Sequence, residues 1–264
     1  MSAAAVGAVL LVAAVTYVTG WLRLSSRAVR PARTPRLAAA MGALGTTAVA
    51  LLSPLAALAH ERFVAHMVQH LLLMSLAAPL VLLADPFPVV LWALPARGRA
   101  VLGSLFARRG ALRRLLWTLT STPLAWGLFA ATLWLWHLPT LYEGALANGW
   151  LHGLEHLAFF GAALMFWWPL LHPAPRVRRP PRPAAAIVYV VLAAFQSAAL
   201  GLVLTLWPSV LYPFHASQGA SALDDQAWGG IVMWSVSGVI DMAVVMALTW
   251  RFLSGDAHRG PPLS

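Results

Sequence analysis

The sequence predicts an all-α fold: a polytopic membrane bundle of seven transmembrane helices, N-terminus outside and C-terminus in the cytoplasm. Three observations predict it: an apolar composition, apolar runs of membrane-crossing length, and arginines confined to alternate loops. Of 264 residues, 60% are hydrophobic and 10% charged, whereas a soluble domain carries about 25% charged residues. Such a chain cannot cover a water-facing surface. Apolar runs of about 20 residues match a hydrocarbon core crossed at about 1.5 Å per residue.

The expected spans are about 4–22, 37–58, 63–84, 115–136, 151–172, 184–207 and 228–252. They leave only short loops, so residues 1–264 read as a single integral membrane domain. The first run has no basic residue before it and reads as a retained helix, not a signal peptide. Segment 86–96, opening on Pro86, Phe87 and Pro88, is too short to cross. It is expected to lie at the interface or to extend span three beyond a proline break.

Orientation follows from arginine. Arg23, Arg27, Arg30, Arg33 and Arg36 follow span one, and Arg97, Arg99, Arg108, Arg109, Arg113 and Arg114 follow span three. Arg176, Arg178, Arg179 and Arg182 follow span five, and Arg251 and Arg259 close the chain. Only Arg62 falls on the opposite side. The positive-inside rule assigns the crowded side to the cytoplasm, and alternation of this kind requires an odd number of spans. The formal net charge of +10 is therefore a topology signal with headgroup contacts, not a nucleic-acid surface. There is no Cys, which excludes disulfides and thiolate metal ligands.

With that orientation His60, His66, His70, His137, His152, His156 and His215 lie at the outer side, and His172 and His258 lie inside. Glu61, Glu143, Glu155, Asp224 and Asp225 are outer, Asp85 and Asp256 inner, and Asp241 sits within span seven. His66 and His70 are four residues apart, as are His152 and His156, so each pair shares one helical face. Neutral imidazoles at that spacing can reach one metal ion. His70 lies about 10 Å along its helix, with Met74 one turn deeper and Met67 beside it. A single interfacial histidine means little, but two stacked pairs on successive outer helix starts point to a metal or cofactor site.

The residues leave the ligand open. Imidazoles with nearby thioethers and no thiolate suit copper. Zinc accepts His with a carboxylate, and a haem could be held by one His from each of two helices. His152-Gly-Leu-Glu155-His156 also spells the H-x-x-E-H peptidase pattern, with Glu143, Asp225 and Asp241 as candidate further ligands. Asp241 and Gln196 are the deep polar residues, functional or hydrogen-bonded to Ser197, Ser235 or Ser237. Trp134, Trp136, Trp167 and Trp168 read as interface anchors and packing. Gly229-Gly230 and the run from Ser235 to Gly238 read as close helix packing.

Four strings, in order along the chain, resemble one family. They are His66-Met67-Val68-Gln69-His70-Leu71-Leu72-Leu73-Met74 with Ala78-Pro79-Leu80, and His137-Leu138-Pro139 with Leu141-Tyr142-Glu143. The others are His152 through Glu155-His156-Leu157 into Phe166-Trp167-Trp168-Pro169, and Asp225-Gln226 with Gly229-Gly230-Ile231-Val232-Met233-Trp234. Over about residues 40 to 250 the chain resembles the multi-spanning CtaG family of bacterial cytochrome c oxidase assembly factors. It departs in lacking a second Pro after Ala78-Pro79, which concerns helix shape.

The resemblance implies a non-enzymatic role in oxidase maturation in a bacterial plasma membrane, with copper as the metal handled. The expected ligands are His66, His70, His152 and His156. His60, Met67, Met74, His137, Glu143, His215, Asp225 and Asp241 are expected around them or along the way in, with Glu155 orienting an imidazole. The implied partners are oxidase subunits and an extracytoplasmic copper chaperone. Zinc and haem remain the alternatives.

Overall fold

The structure is a computed structural model that describes residues 2–26, 34–107, 110–216 and 221–254. Arg27, Arg30, Arg33, Arg108, Arg109, Asp256, His258 and Arg259 lie outside the described residues. Helices α1 (Ala3–Ser25), α2 (Thr34–Leu52) and α3 (Pro54–Glu61) lead into α4 (Phe63–Leu71), a π-helical turn (Leu72–Ala77) and α5 (Ala78–Leu83). Then come α6 (Pro86–Ala93), α7 (Ala96–Leu105), α8 (Ala111–Leu119), α9 (Thr122–Trp136) and α10 (Pro139–Ala147). The chain ends with α11 (Gly149–Leu171), α12 (Pro183–Leu206), the short α13 (Pro213–Ala216) and α14 (Ala222–Leu253). Among the described residues there is no strand.

Six helices are long and apolar enough to cross a membrane: α1, α2, the continuous Phe63–Leu83, α11, α12 and α14. A seventh crossing is made if α9 and α10, bent by 73° at their junction, count as one broken span. The chain is thus a multi-pass membrane protein.

Three expected boundaries are corrected. Span two ends at Leu52, because Ser53 caps a new helix through Leu55 N (3.2 Å) and Pro54 opens it. The run 115–136 is two helices: Thr120 and Ser121 leave the helical path, and α9 restarts with Pro123 in its first turn. Span seven starts several residues early, at Ala222, where the Ser221 hydroxyl accepts from Asp224 N at 3.2 Å. Segment 86–96 resolves into α6, a separate helix set off from α5 by Asp85 in the left-handed region (φ 49°). It packs on α1, where a Cβ at Gly20 would collide with the Val89 carbonyl.

The π-helical turn has a cause in the sequence. Pro79 follows it and has no N–H to offer the preceding turn. At π spacing the orphaned carbonyl is that of Met74, and the Trp167 indole N–H of α11 supplies the missing donor at 3.0 Å. The exchange ties this span to α11. The main core sits between them, around Phe63, Met67, Phe159, Phe166, Tyr189 and Leu200. α12 and α14 meet closely at Gly230 as expected: a Cβ on Gly201 would lie 2.8 Å from Trp234 Cβ and 3.0 Å from the Gly230 carbonyl. Nothing lies within 4 Å of a Cβ at Gly238, so the run from Ser235 to Gly238 does not make the close packing expected there.

The two ends of the bundle differ. At one end arginines tie loops together: Arg23 donates to the Ala93 carbonyl (2.9 Å), and Arg113 to that of Arg176 (3.1 Å). Arg178 stacks over Trp117 at 3.6 Å, while Arg36 pairs with Asp85 at 2.9 Å. At the other end the histidines gather.

Candidate metal centre

His66 and His70 project from α4, and His152, Glu155 and His156 from α11. Asn148 fixes the start of α11, its side chain accepting from Trp150 N (2.9 Å) and Leu151 N (3.3 Å). Asp225 of α14 fixes the start of α4. Arg62 supplies no side-chain cap there, and the Asp225 carboxylate accepts from Phe63 N (2.5 Å) and Val64 N (3.4 Å) instead.

The two expected pairs face each other. The rings of His66 and His70 lie 4.4 Å apart, as do those of His152 and His156, and His66 is 5.2 Å from His152. His66 Nε2 and His70 Nε2 approach to 2.9 Å. Glu155 stands opposite, its oxygens 3.8 Å from each of those nitrogens, which is beyond hydrogen-bonding range. Ligand atoms of His66, His152 and His156 lie within 4.8 Å of one another, and so do those of His66, His70 and Glu155.

Burial separates these side chains from ordinary interfacial histidines. His66 and Glu155 are 0% exposed. Both Glu155 oxygens, His66 Nδ1, His70 Nδ1 and His152 Nε2 are buried without a hydrogen-bond partner. A buried orphan of this kind costs roughly 1–3 kcal/mol, more when charged, and several together demand an explanation. Exposure falls inward from His60, which is exposed, through the partly buried His152 and His156 to His66 and His70. The His60 ring stands edge-on to that of His152 at 5.4 Å.

The remaining expected residues divide into three groups. His137 and Met74 line a small cavity beside His70 with Met67. Glu143 accepts from Phe214 N (3.1 Å), which holds the loop that carries His215. His215 Nε2 and the Tyr142 hydroxyl are hydrogen-bonded at 2.9 Å. Burial pushes the His215 pKa below its ordinary value, against the opposing pull of the Glu61 backbone and the Asp225 charge. Asp241 lies about 24 Å along α14 from Asp225, away from the cluster. Ser235 and Ser237 bond back to the carbonyls of Ile231 and Met233 (both 2.6 Å), while Gln196 accepts from Trp134 Nε1 at 3.0 Å and donates to Ser197 Oγ at 3.1 Å, as one expected reading had it.

One participant carries no role in the residue-by-residue reading. Gln69, between the two histidines of α4, accepts from His156 Nε2 (3.2 Å) and donates to the Ala50 carbonyl (2.7 Å). It thereby orients an imidazole of α11 from α4. Its presence inside the quoted His66–His70 string was the available signal.

The comparisons with known proteins bear on this arrangement. An uncharacterized protein of Mycobacterium bovis and one of Mycobacterium tuberculosis are each 24% identical over 206 residues. The match covers 74% of this chain but only 30% of each relative, so the chain spans less than a third of their length. No solved structure matches. The sequence profile of the family described as cytochrome c oxidase caa3 assembly factor (Caa3_CtaG) matches residues 15–254, which include every residue of the histidine centre. The chain belongs to the cytochrome c oxidase caa3 assembly factor family.

Proposed function

We propose that this assembly factor binds copper between α4 and α11 and delivers it to the oxidase, as cargo rather than as a resident cofactor. The observation that carries the reading is the meeting of two donor sets at His66, one with His152 and His156 and one with His70 and Glu155, whose carboxylate has no hydrogen-bond partner. Two imidazole nitrogens 2.9 Å apart can both sit about 2.0–2.1 Å from one ion. Ligation at that point would also engage the Glu155 oxygens, which have no hydrogen-bond partner. A single carboxylate also balances a monovalent ion, so the loaded centre is neutral, as a low-dielectric interior requires.

The arginine asymmetry supports an extracytoplasmic position for this centre in a bacterial plasma membrane. His60, exposed beside His152, is then the first imidazole that an ion from an extracytoplasmic chaperone meets. The oxidase subunit would dock at the same end. Zinc fits the His66, His70 and Glu155 set chemically. The peptidase reading is disfavoured because a peptide would have to reach Glu155, which is fully buried. A haem is disfavoured because imidazole rings packed 4.4–5.5 Å apart leave no slot for a macrocycle.

Metal analysis of the purified chain tests the reading. Copper should copurify or bind on addition, and its stoichiometry should fall when both His pairs are changed to Ala. Unchanged copper content in that variant sinks the proposed centre.

A further inference from the structure

A second group of donors lies against the first and shares only His70 with it. A cavity of about 40 Å³ is lined by Met67, Met74, Met233, His70 and His137, with aromatic rings around them. All five side chains are buried. His137 bonds through Nδ1 to the Leu133 carbonyl (2.7 Å), which fixes its ring, yet its Nε2 is buried without a partner. His70 belongs to both places: its Nε2 meets His66, while its Nδ1 is unpartnered and its ring lines the cavity.

Methionine is often only a filler of irregular cores. Three thioethers sharing a cavity with an orphaned imidazole nitrogen form a different kind of place. They are a soft donor set in a chain without Cys, and soft thioethers select Cu(I) over harder ions. Met74 lies in the π-helical turn, and the Trp167–Met74 hydrogen bond holds its backbone.

We infer that this cavity is a second metal site, a thioether–imidazole seat for Cu(I) formed by Met67, Met74, Met233 and His137 and coupled to the histidine centre through His70. It deepens the copper reading above and rests on it for the direction of transfer: the ion passes between the two seats by exchange at His70. No redox step is involved.

X-ray absorption of the full chain, purified in detergent and saturated with Cu(I), tests the inference directly. Sulfur scatterers beside nitrogen are expected, with two ions per chain. The Met74→Leu/Met233→Leu double variant, nearly volume-conserving, should lose the sulfur signal and one ion. Purely nitrogen and oxygen ligation in the wild-type spectrum overturns the inference, as does a double variant that still binds two ions. The histidine centre is read separately: His66→Ala/His152→Ala should lose one ion and keep the sulfur-ligated one. If the wild type binds a single sulfur-ligated ion, the histidine centre fails while this seat stands.

Discussion

Two buried carboxylates of this protein have opposite surroundings. Asp85, at the arginine end, has every oxygen engaged: one accepts from Ala174 N at 2.7 Å, the other pairs with Arg36 at 2.9 Å. Beside it the Tyr17 hydroxyl donates to the Ala84 carbonyl at 2.7 Å. Glu155, at the histidine end, has neither oxygen engaged, though it is more deeply buried. The difference teaches how to tell a structural polar group from a waiting one. A fold that stabilises itself satisfies its buried polar atoms. On the reading proposed above, a site that takes up an ion holds donor atoms that the fold itself does not satisfy.

The contrast is broken most severely at Glu155. Glu155→Leu should reduce metal affinity by more than the ~100-fold typical of losing a group that only orients a ligand. The metal-free protein should keep its thermal stability or gain some, because an unpartnered buried carboxyl is removed. Metal titration and unfolding in the same detergent report the two effects independently. A clear loss of metal-free stability would mean that Glu155 serves the fold, as Asp85 does. Next in size is Gln69→Leu, which frees the His156 ring. Affinity should drop about 10- to 100-fold with the stoichiometry unchanged, as read by competition with a chelator of known strength.

Asp85→Ala is the converse experiment. It strands the Ala174 N–H and the Arg36 guanidinium, and it puts alanine in a left-handed conformation that aspartate tolerates better. The first loss costs roughly 1–3 kcal/mol. The ion pair adds little, because the Arg36 side chain is 37% exposed. Thermal stability should fall while metal affinity holds. A fall in affinity equal to that of Gln69→Leu would show that the two ends of the bundle are coupled.

Much of this was legible in the sequence, for identifiable reasons. The 3.6-residue period places His66 over His70 and His152 over His156 whatever the tertiary fold, so both pairs could be read in advance. That the pairs face each other depends on how α4 and α11 pack, which no local pattern encodes. Six of the seven expected spans were readable from hydropathy, which reports on the bilayer, whereas the expected span 115–136 answers to a bent helix pair that makes a seventh crossing if it counts as one. Boundaries at Ser53-Pro54 and Thr120-Ser121 were missed: these short polar breaks lie inside apolar runs, where hydropathy averages them away. The role of Asp225 was out of reach, since its partners on α4 lie 162 and 161 residues away in the chain.

Asp225 gives the smallest and most discriminating effect, because it is a satisfied carboxylate at the histidine end. Its oxygens accept from the first two amides of α4, those of Phe63 and Val64, three and two residues before His66. If satisfaction marks structure, Asp225 should behave like Asp85 despite its address. Asp225→Ala should then cost about 1 kcal/mol of stability, the usual effect of removing a helix cap. The amide of Phe63 is buried with its ring stacked on Tyr212 at 4.9 Å, so water replaces the lost acceptor poorly and the cost should not vanish. Metal affinity should change by only a few-fold, through a loosened first turn rather than a lost ligand. A loss as large as that of Glu155→Leu would instead make Asp225 part of the centre. Position in the bundle, and not hydrogen-bond satisfaction, would then be the better guide to function.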